Sequence, residues 1–267
     1  MERKWRLVAT ALSFVLFGVW AAALTLTVAV GVALFVRAPD RRRRLARSCI
    51  RSMFGGFLSF VQFLRVVRLD IDEATRAALA AERGSVVVAN HPSFIDVLVL
   101  IALIEQSNCV VKRALWRNPL LSWGVRLAGY IPSGDPEKLL ADCESALHRN
   151  ETVIVFPEAT RTRPGEPMRL QRGAANIALH ADAAIRLVRI RCEPPLLAKG
   201  VSWYRVPETQ PCLALRVGAS VRARDFLVAG EPRNAAARRL TLLLQQELSR
   251  DISSDESPGA GTQAIAH

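Results

Sequence analysis

The segment Asn90-His91-Pro92-Ser93-Phe94-Ile95-Asp96 sets a histidine and an aspartate five residues apart, directly after the apolar run Val86-Val87-Val88-Ala89. A turn between the two can fold the carboxylate back onto the imidazole. Asp96 then accepts from one ring nitrogen, fixes the tautomer and stabilises the imidazolium, leaving the other nitrogen to take a proton from a hydroxyl. That is the chemistry of a general base working without a protein nucleophile. The same spacing also suits a strand-end histidine and a helix-start acid with no catalytic part. A second segment, Val155-Phe156-Pro157-Glu158-Ala159-Thr160-Arg161-Thr162, follows another apolar run. Its guanidinium can grip a phosphate with two parallel bonds, although Glu158 and Arg161 could equally form an ordinary surface ion pair. Ser93 has no Gly-x-Ser-x-Gly elbow around it, so it reads as a helix-start serine. Cys109 reads as a buried structural thiol, and His148 and His180 have no partner motif.

Elements that could position these groups alternate along the chain. Ser85 to Ala89, Thr152 to Phe156, Ile185 to Ile190 and Leu213 to Val217 read as strands. Asp135-Pro136-Glu137 marks a helix start, with Asp as N-cap, Pro at the first helical position and an acid in the first turn. That helix should run to Arg149 and bury Leu139, Cys143, Ala146 and Leu147. Asn234 is placed to cap a further helix through Leu240 to Leu248. Such alternation predicts an α/β layered domain with its reactive residues in loops at strand ends.

Upstream, Leu7 to Val36 is a run of thirty residues without a charge or a proline. As a helix it would measure about 45 Å against a hydrocarbon core of about 30 Å. It is too long for the apolar part of a cleaved signal peptide. The run predicts a membrane anchor, either one tilted span or a re-entrant helix pair breaking near Gly18 or Gly31. Arg37, Arg41 to Arg44 and Arg47 outnumber Arg3, Lys4 and Arg6 on the other flank, which puts the main domain on the cytoplasmic side of the inner membrane. The Arg run would meet anionic membrane lipids. Ser48 to Val67 reads as an interfacial helix or an ordinary core helix. The division is therefore 1–47 for the anchor and basic flank, 48–250 for the catalytic domain with its leading helix, and 251–267 for a Ser/Asp/Gly-rich disordered tail. The net charge of +12 favours an anionic partner, but no zinc-finger, RNP-like or basic-helix pattern supports nucleic acid. Five dispersed cysteines without a CxxC pair and four scattered histidines predict reduced thiols and no metal site.

Val155 to Thr162 resembles the FPEGTRS block of the glycerolipid acyltransferase family, which includes the 1-acylglycerol-3-phosphate acyltransferases, and Asn90 to Asp96 resembles its NHxxxxD block. Order and separation, about sixty to seventy residues, also agree. Lys112, Leu115, Pro119, Gly124 and Gly129 are similar to the family's second block, and Gln171-Arg172-Gly173 stands where Lys-Lys-Gly is common. The resemblance spans Ser85 to Pro195. It implies a mixed sheet flanked by helices and no cofactor. It further implies that His91 deprotonates an acceptor hydroxyl, oriented by Asp96, and that the hydroxyl attacks an acyl thioester directly. By the same resemblance Arg161 holds an acceptor phosphate beside Thr160, Glu158 positions Arg161 or an acceptor hydroxyl, and Lys112 and Arg172 add positive charge near the phosphate or the carrier. The donor is acyl-CoA or acyl carrier protein, and the acceptor is a lysolipid, lysophosphatidate first. Three departures bear on the acceptor. Ala159 replaces a usual Gly, Gly129 to Asp135 lacks a frequent Arg, and Val188-Arg189-Ile190 replaces Val-Pro-Val. They leave open a non-glycerol or secondary-metabolite lipid acceptor; from a different class, the alternative is a catalytically idle membrane-anchored lipid-binding scaffold that keeps the fold.

Overall fold

The computed structural model describes residues 2–118, 122–250 and 252. Pro119 and, Ile252 apart, the expected tail 251–267 lie outside them. One sheet organises the domain, built from β1 (Arg68–Ile71), β2 (Val86–Ala89), β3 (Ser107–Lys112), β4 (Ile131–Ser133), β5 (Thr152–Val155), β6 (Ala184–Glu193) and β7 (Cys212–Arg222). The order is β1-β7-β6-β2-β5-β3-β4. Every neighbouring pair is parallel except β6 with β7. The mixed α/β sheet expected from the sequence is therefore present. Both central strands, β2 and β5, are buried along their whole length, because helices cover both faces of the sheet; that is why they read as unbroken Val and Ile runs. The other two anticipated strands, β6 and β7, run longer than their apolar cores. The sequence concealed three strands. β3 opens on the buried polar pair Ser107 and Asn108, β1 is short and charged, and β4 holds Pro132, which an edge strand tolerates.

One face of the sheet packs against α2 (Pro39–Phe63), α4 (Asp96–Leu103) and Leu79 of α3 (Glu73–Ala81). The other packs against α6 (Pro136–His148), α7 (Gly173–His180) and α8 (Arg233–Leu248). α6 follows the expected cap, since the Asp135 side chain accepts from the Glu137 and Lys138 amides. It buries Cys143, Ala146 and Leu147, with Leu139 only partly covered. The cap proposed for α8 is corrected. Pro232 occupies that position, with no side-chain bond, and Asn234 already lies inside the first turn.

The N-terminal region departs most from its one-dimensional reading. α1 (Glu2–Phe35) passes through Gly18 and Gly31 without a break, and the chain turns at 36–38 into α2. Arg3 to Ala23 is long and apolar enough to cross a membrane, with mean hydropathy 1.7 and 28% of it buried against the protein. Its start is tied to the domain. Trp5 Nε1 donates to the Leu64 carbonyl at 3.1 Å, Arg6 donates to the Pro207 and Glu208 carbonyls, and Phe17 packs on Phe54 and Phe57. α1 and α2 thus run antiparallel as a hairpin. The expected boundary at 47/48 falls within α2, whose buried face carries Ile50, Phe57, Leu58 and Val61. Arg47, assigned above to a membrane-facing flank, turns inward. It is 2% exposed, its Nε donates to the Ala128 carbonyl at 2.7 Å, and its Nη2 meets Glu151 Oε2 at 3.0 Å.

Candidate active site

Because β2, β5, β3 and β4 are mutually parallel, their C-terminal ends share one edge of the sheet. His91 follows β2, Glu158 follows β5, and the two meet there. The turn from Asn90 to Asp96 folds as its composition implies. His91 Nδ1 lies 3.0 Å from Asp96 Oδ2, and the same oxygen accepts from the Ser93 amide at 2.7 Å. A carboxylate at Oδ2 makes Nδ1 the protonated nitrogen, which leaves Nε2 as the acceptor. Asp96 is fully buried, while the His91 side chain keeps 18% of its surface. The carboxylate is therefore dry while the imidazole keeps some contact with solvent. The His91 ring stacks on Phe156, with centroids 4.3 Å apart.

Burial pushes the Asp96 carboxyl above its ordinary range, against the pull of His91 and the Ser93 amide. Asp96 Oδ1 adds to that cost, being buried without a hydrogen-bond partner in the protein. Glu158, 7% exposed, is raised for the same first reason. Its Oε1 accepts from the His91 amide at 2.7 Å and its Oε2 from the Thr162 hydroxyl. This carboxylate thus faces the His91 backbone and Thr162 rather than Arg161, and it ties the FPEATR turn to the histidine. Arg161 points elsewhere. Its Nη1 donates to the Leu197 carbonyl, and its guanidinium sits 6.0 Å over the Phe94 ring.

Of the remaining candidates, Thr160 is exposed in the same turn, and Arg172 is exposed at the start of α7. Lys112 ends β3, one strand beyond β5, and is exposed too. Arg189, taken above as a change in the acceptor pocket, lies in β6, and the charges acting on it are Glu247 and Arg250. Sequence reasoning gave no part to Asn90 and Ser93 beyond their place in the motif. The Asn90 amide bonds both the Ile190 carbonyl and the Ile190 amide at 2.7 Å, clamping the strand end that carries His91 to β6. Ser93 Oγ donates to the Leu196 carbonyl at 2.7 Å. Their signal was a pair of small polar residues flanking a reactive histidine at a buried strand end. Ala159 adopts φ +57°, the left-handed conformation in which a Gly is at ease. Among the described residues no three His, Cys, Asp or Glu side chains converge as metal ligands.

Residues 67–191 match the sequence model of the Acyltransferase family. A chloroplastic 1-acyl-sn-glycerol-3-phosphate acyltransferase of Arabidopsis thaliana is 27% identical over 40% of this chain and 31% of its own length. A 1-acyl-sn-glycerol-3-phosphate acyltransferase of Chlamydomonas reinhardtii is 26% identical over 66% of this chain and 53% of its own. The chain thus spans about a third to a half of these relatives. The crystal structure of the 1-acyl-sn-glycerophosphate acyltransferase PlsC from Thermotoga maritima superposes with a TM-score of 0.68 at 18% identity, covering 94% of this chain and 99% of that one. That likeness is one of fold.

Proposed function

From the match of residues 67–191 to the sequence model of the Acyltransferase family we propose that this chain moves a fatty acyl group from a thioester donor, acyl-CoA or acyl carrier protein, to a lysolipid hydroxyl. Lysophosphatidate is the first acceptor to test. His91 Nε2 takes the hydroxyl proton, the oxygen attacks the thioester carbonyl, and the carrier thiolate departs and recovers the proton. Asp96 holds the ring and stabilises the imidazolium. Glu158 fixes the His91 main chain, so the base does not swing as it changes charge. Arg161 is to bind the acceptor phosphate, exchanging its bond to the Leu197 carbonyl for a charge-assisted one, with Thr160 beside it and Lys112 and Arg172 adding positive charge. The observation that carries the reading is the His91–Asp96 pair, 3.0 Å apart, with the carboxylate buried and the imidazole partly exposed.

The acyl chain has an apolar neighbour. A small cavity of about 40 Å³ beside the motif is lined by Phe14 and Phe17 of α1, Phe94, Ile95, Leu98 and Leu197. Val8, Val15 and Val19 of α1 and Trp203 and Tyr204 near it stand exposed, an apolar rim suited to lipid. The α1–α2 hairpin is accordingly the membrane attachment, with Arg41 to Arg44 toward anionic headgroups of the inner membrane and the catalytic domain on its cytoplasmic side.

Purified protein given an acyl thioester should acylate lysophosphatidate in preference to an uncharged long-chain alcohol. Arg161→Ala should raise the acceptor KM more than the donor KM, by about 1.5–3 kcal/mol, and Arg161→Lys should recover part of the loss. If the uncharged alcohol is the best acceptor and Arg161→Ala is harmless, the phosphate role is wrong.

A further inference from the structure

Two strands along the same edge from His91, at the ends of β3 and β4, lies a second cavity of about 340 Å³ that no step above uses. Arg113, Arg117, Arg126 and Lys138 line it, with Trp116 between them. Among the described residues its only lining acid is Asp135, whose side chain is engaged in capping α6, and Lys138 also pairs with Asp142 at 3.2 Å. Arg126 is held in place, its guanidinium 5.5 Å over the Trp116 ring and its Nη2 donating to the Trp116 carbonyl at 3.2 Å. Trp116 Nε1 is buried without a hydrogen-bond partner in the protein. A wall of cations and an unused N–H donor make this a site for a phosphate-bearing group; the first amides of α6 are already taken by the Asp135 side chain.

Distance decides which substrate brings that group. His91 follows β2 and the cavity spans the ends of β3 and β4, two to three strand spacings away, about 10–14 Å at about 4.8 Å per spacing. In a lysophosphatidate-type acceptor only four bonds separate the attacking hydroxyl oxygen from phosphorus, about 5 Å of reach. An acceptor bound at His91 cannot place its phosphate here. In a pantetheine thioester thirteen bonds separate the sulfur from the first phosphorus, about 15 Å extended at the chain's reach per three bonds. Lys112 ends β3, between the two points. We infer that this cavity binds the phosphate end of the pantetheine donor, so that donor and acceptor anions occupy different sites, Arg113 to Lys138 for one and Arg161 for the other. The inference rests on the acyl-transfer reading above.

The test uses the full chain and one acyl group on four carriers: CoA, 4′-phosphopantetheine, acyl carrier protein and the phosphate-free N-acetylcysteamine thioester. For an Arg113→Ala/Lys138→Ala variant, and separately for Arg117→Gln, the ratio of kcat/KM for acyl-CoA to that for the phosphate-free thioester should fall at least about tenfold, the scale of one charge-assisted phosphate bond. A fall seen already with the phosphopantetheine and carrier-protein donors assigns the cavity to the phosphate that all carriers share. A fall seen only with CoA assigns it to the nucleotide phosphates. A ratio equal to that of the unaltered protein, or a rise in the acceptor KM instead, overturns the inference. Absence of transfer from every donor by the unaltered protein sinks the acyl-transfer reading itself.

Discussion

Two glutamates flank the four-residue strand β5 and meet opposite fates. Glu151, just before it, is buried, yet its carboxyl is held below the usual range. Burial works to raise it, but hydrogen bonds from Arg149 and Arg47, the Arg47 charge and the Asn108 amide outweigh that. Glu158, three residues past the strand, has hydrogen bonds from an amide and a hydroxyl only, and burial raises it. The N-terminal edge of the sheet thus uses buried charge to lock α2 against the domain. The C-terminal edge keeps its acids under-compensated beside a histidine. If the proposed reaction is right, charges are placed for stability at one end and for chemistry at the other, and substitutions at the two ends should separate stability from activity.

The largest separation is expected from Asp96→Asn. Turnover should fall by about 10² to 10⁴, since an amide can fix the wrong imidazole tautomer and leaves the imidazolium unstabilised. The melting temperature should hold or rise, because a carboxyl raised by burial costs the fold stability once ionised. A variant that loses stability along with activity would erase the contrast. Next comes Arg47→Ala, which takes one buried cation from Glu151 but leaves it Arg149 and Asn108, and should cost about 1–3 kcal/mol in denaturant unfolding while leaving activity per folded molecule near normal.

The glutamates themselves sharpen the comparison through pH. Glu151, with its folded pKa below the ordinary 4.5, contributes stability that is present above 4.5 and lost as pH falls through the folded value. Glu158, with its folded pKa above 4.5, favours the fold while protonated and loses that contribution as pH rises through the folded value. At pH 7 Glu151→Gln should therefore melt below the unaltered protein, by a margin that narrows in acid. Glu158→Gln should melt at or above it, by a margin that also narrows in acid. Melting curves across pH 4 to 8 would show whether the two signs differ. The smallest effect belongs to Ala159→Gly. A left-handed Ala costs about 1–2 kcal/mol, glycine's greater chain entropy returns about 0.5–1, and a gain of about 0.5–1 kcal/mol in stability remains.

What could be read from the sequence was what is local. His91 and Asp96 are joined by a five-residue turn, and an N-cap aspartate, a proline at the first helical position and an acid in the first turn announce α6, so short-range stereochemistry suffices for both. The meeting of Glu158 with the His91 amide spans 67 residues and was visible only as two motifs in series. Arg47 was misread because a charge run shows no faces until α2 is known to begin at Pro39. Then Arg47 falls on the helix side that carries Ile50 and Phe57, while Arg41 and Arg44 remain exposed. β4 escaped because an edge strand of three residues with a central proline has neither alternation nor length. The basic cavity escaped because Arg113, Arg126 and Lys138 become neighbours only when β3 and β4 pair.

The central claim is that His91 is the base. The direct test is steady-state transfer of an acyl group from a thioester to lysophosphatidate by purified His91→Ala, with circular dichroism and melting recorded on the same sample. Turnover at least about a hundredfold below that of the unaltered protein, in a sample with the same fold, is the expected result. Near-normal turnover by a folded His91→Ala protein would contradict it.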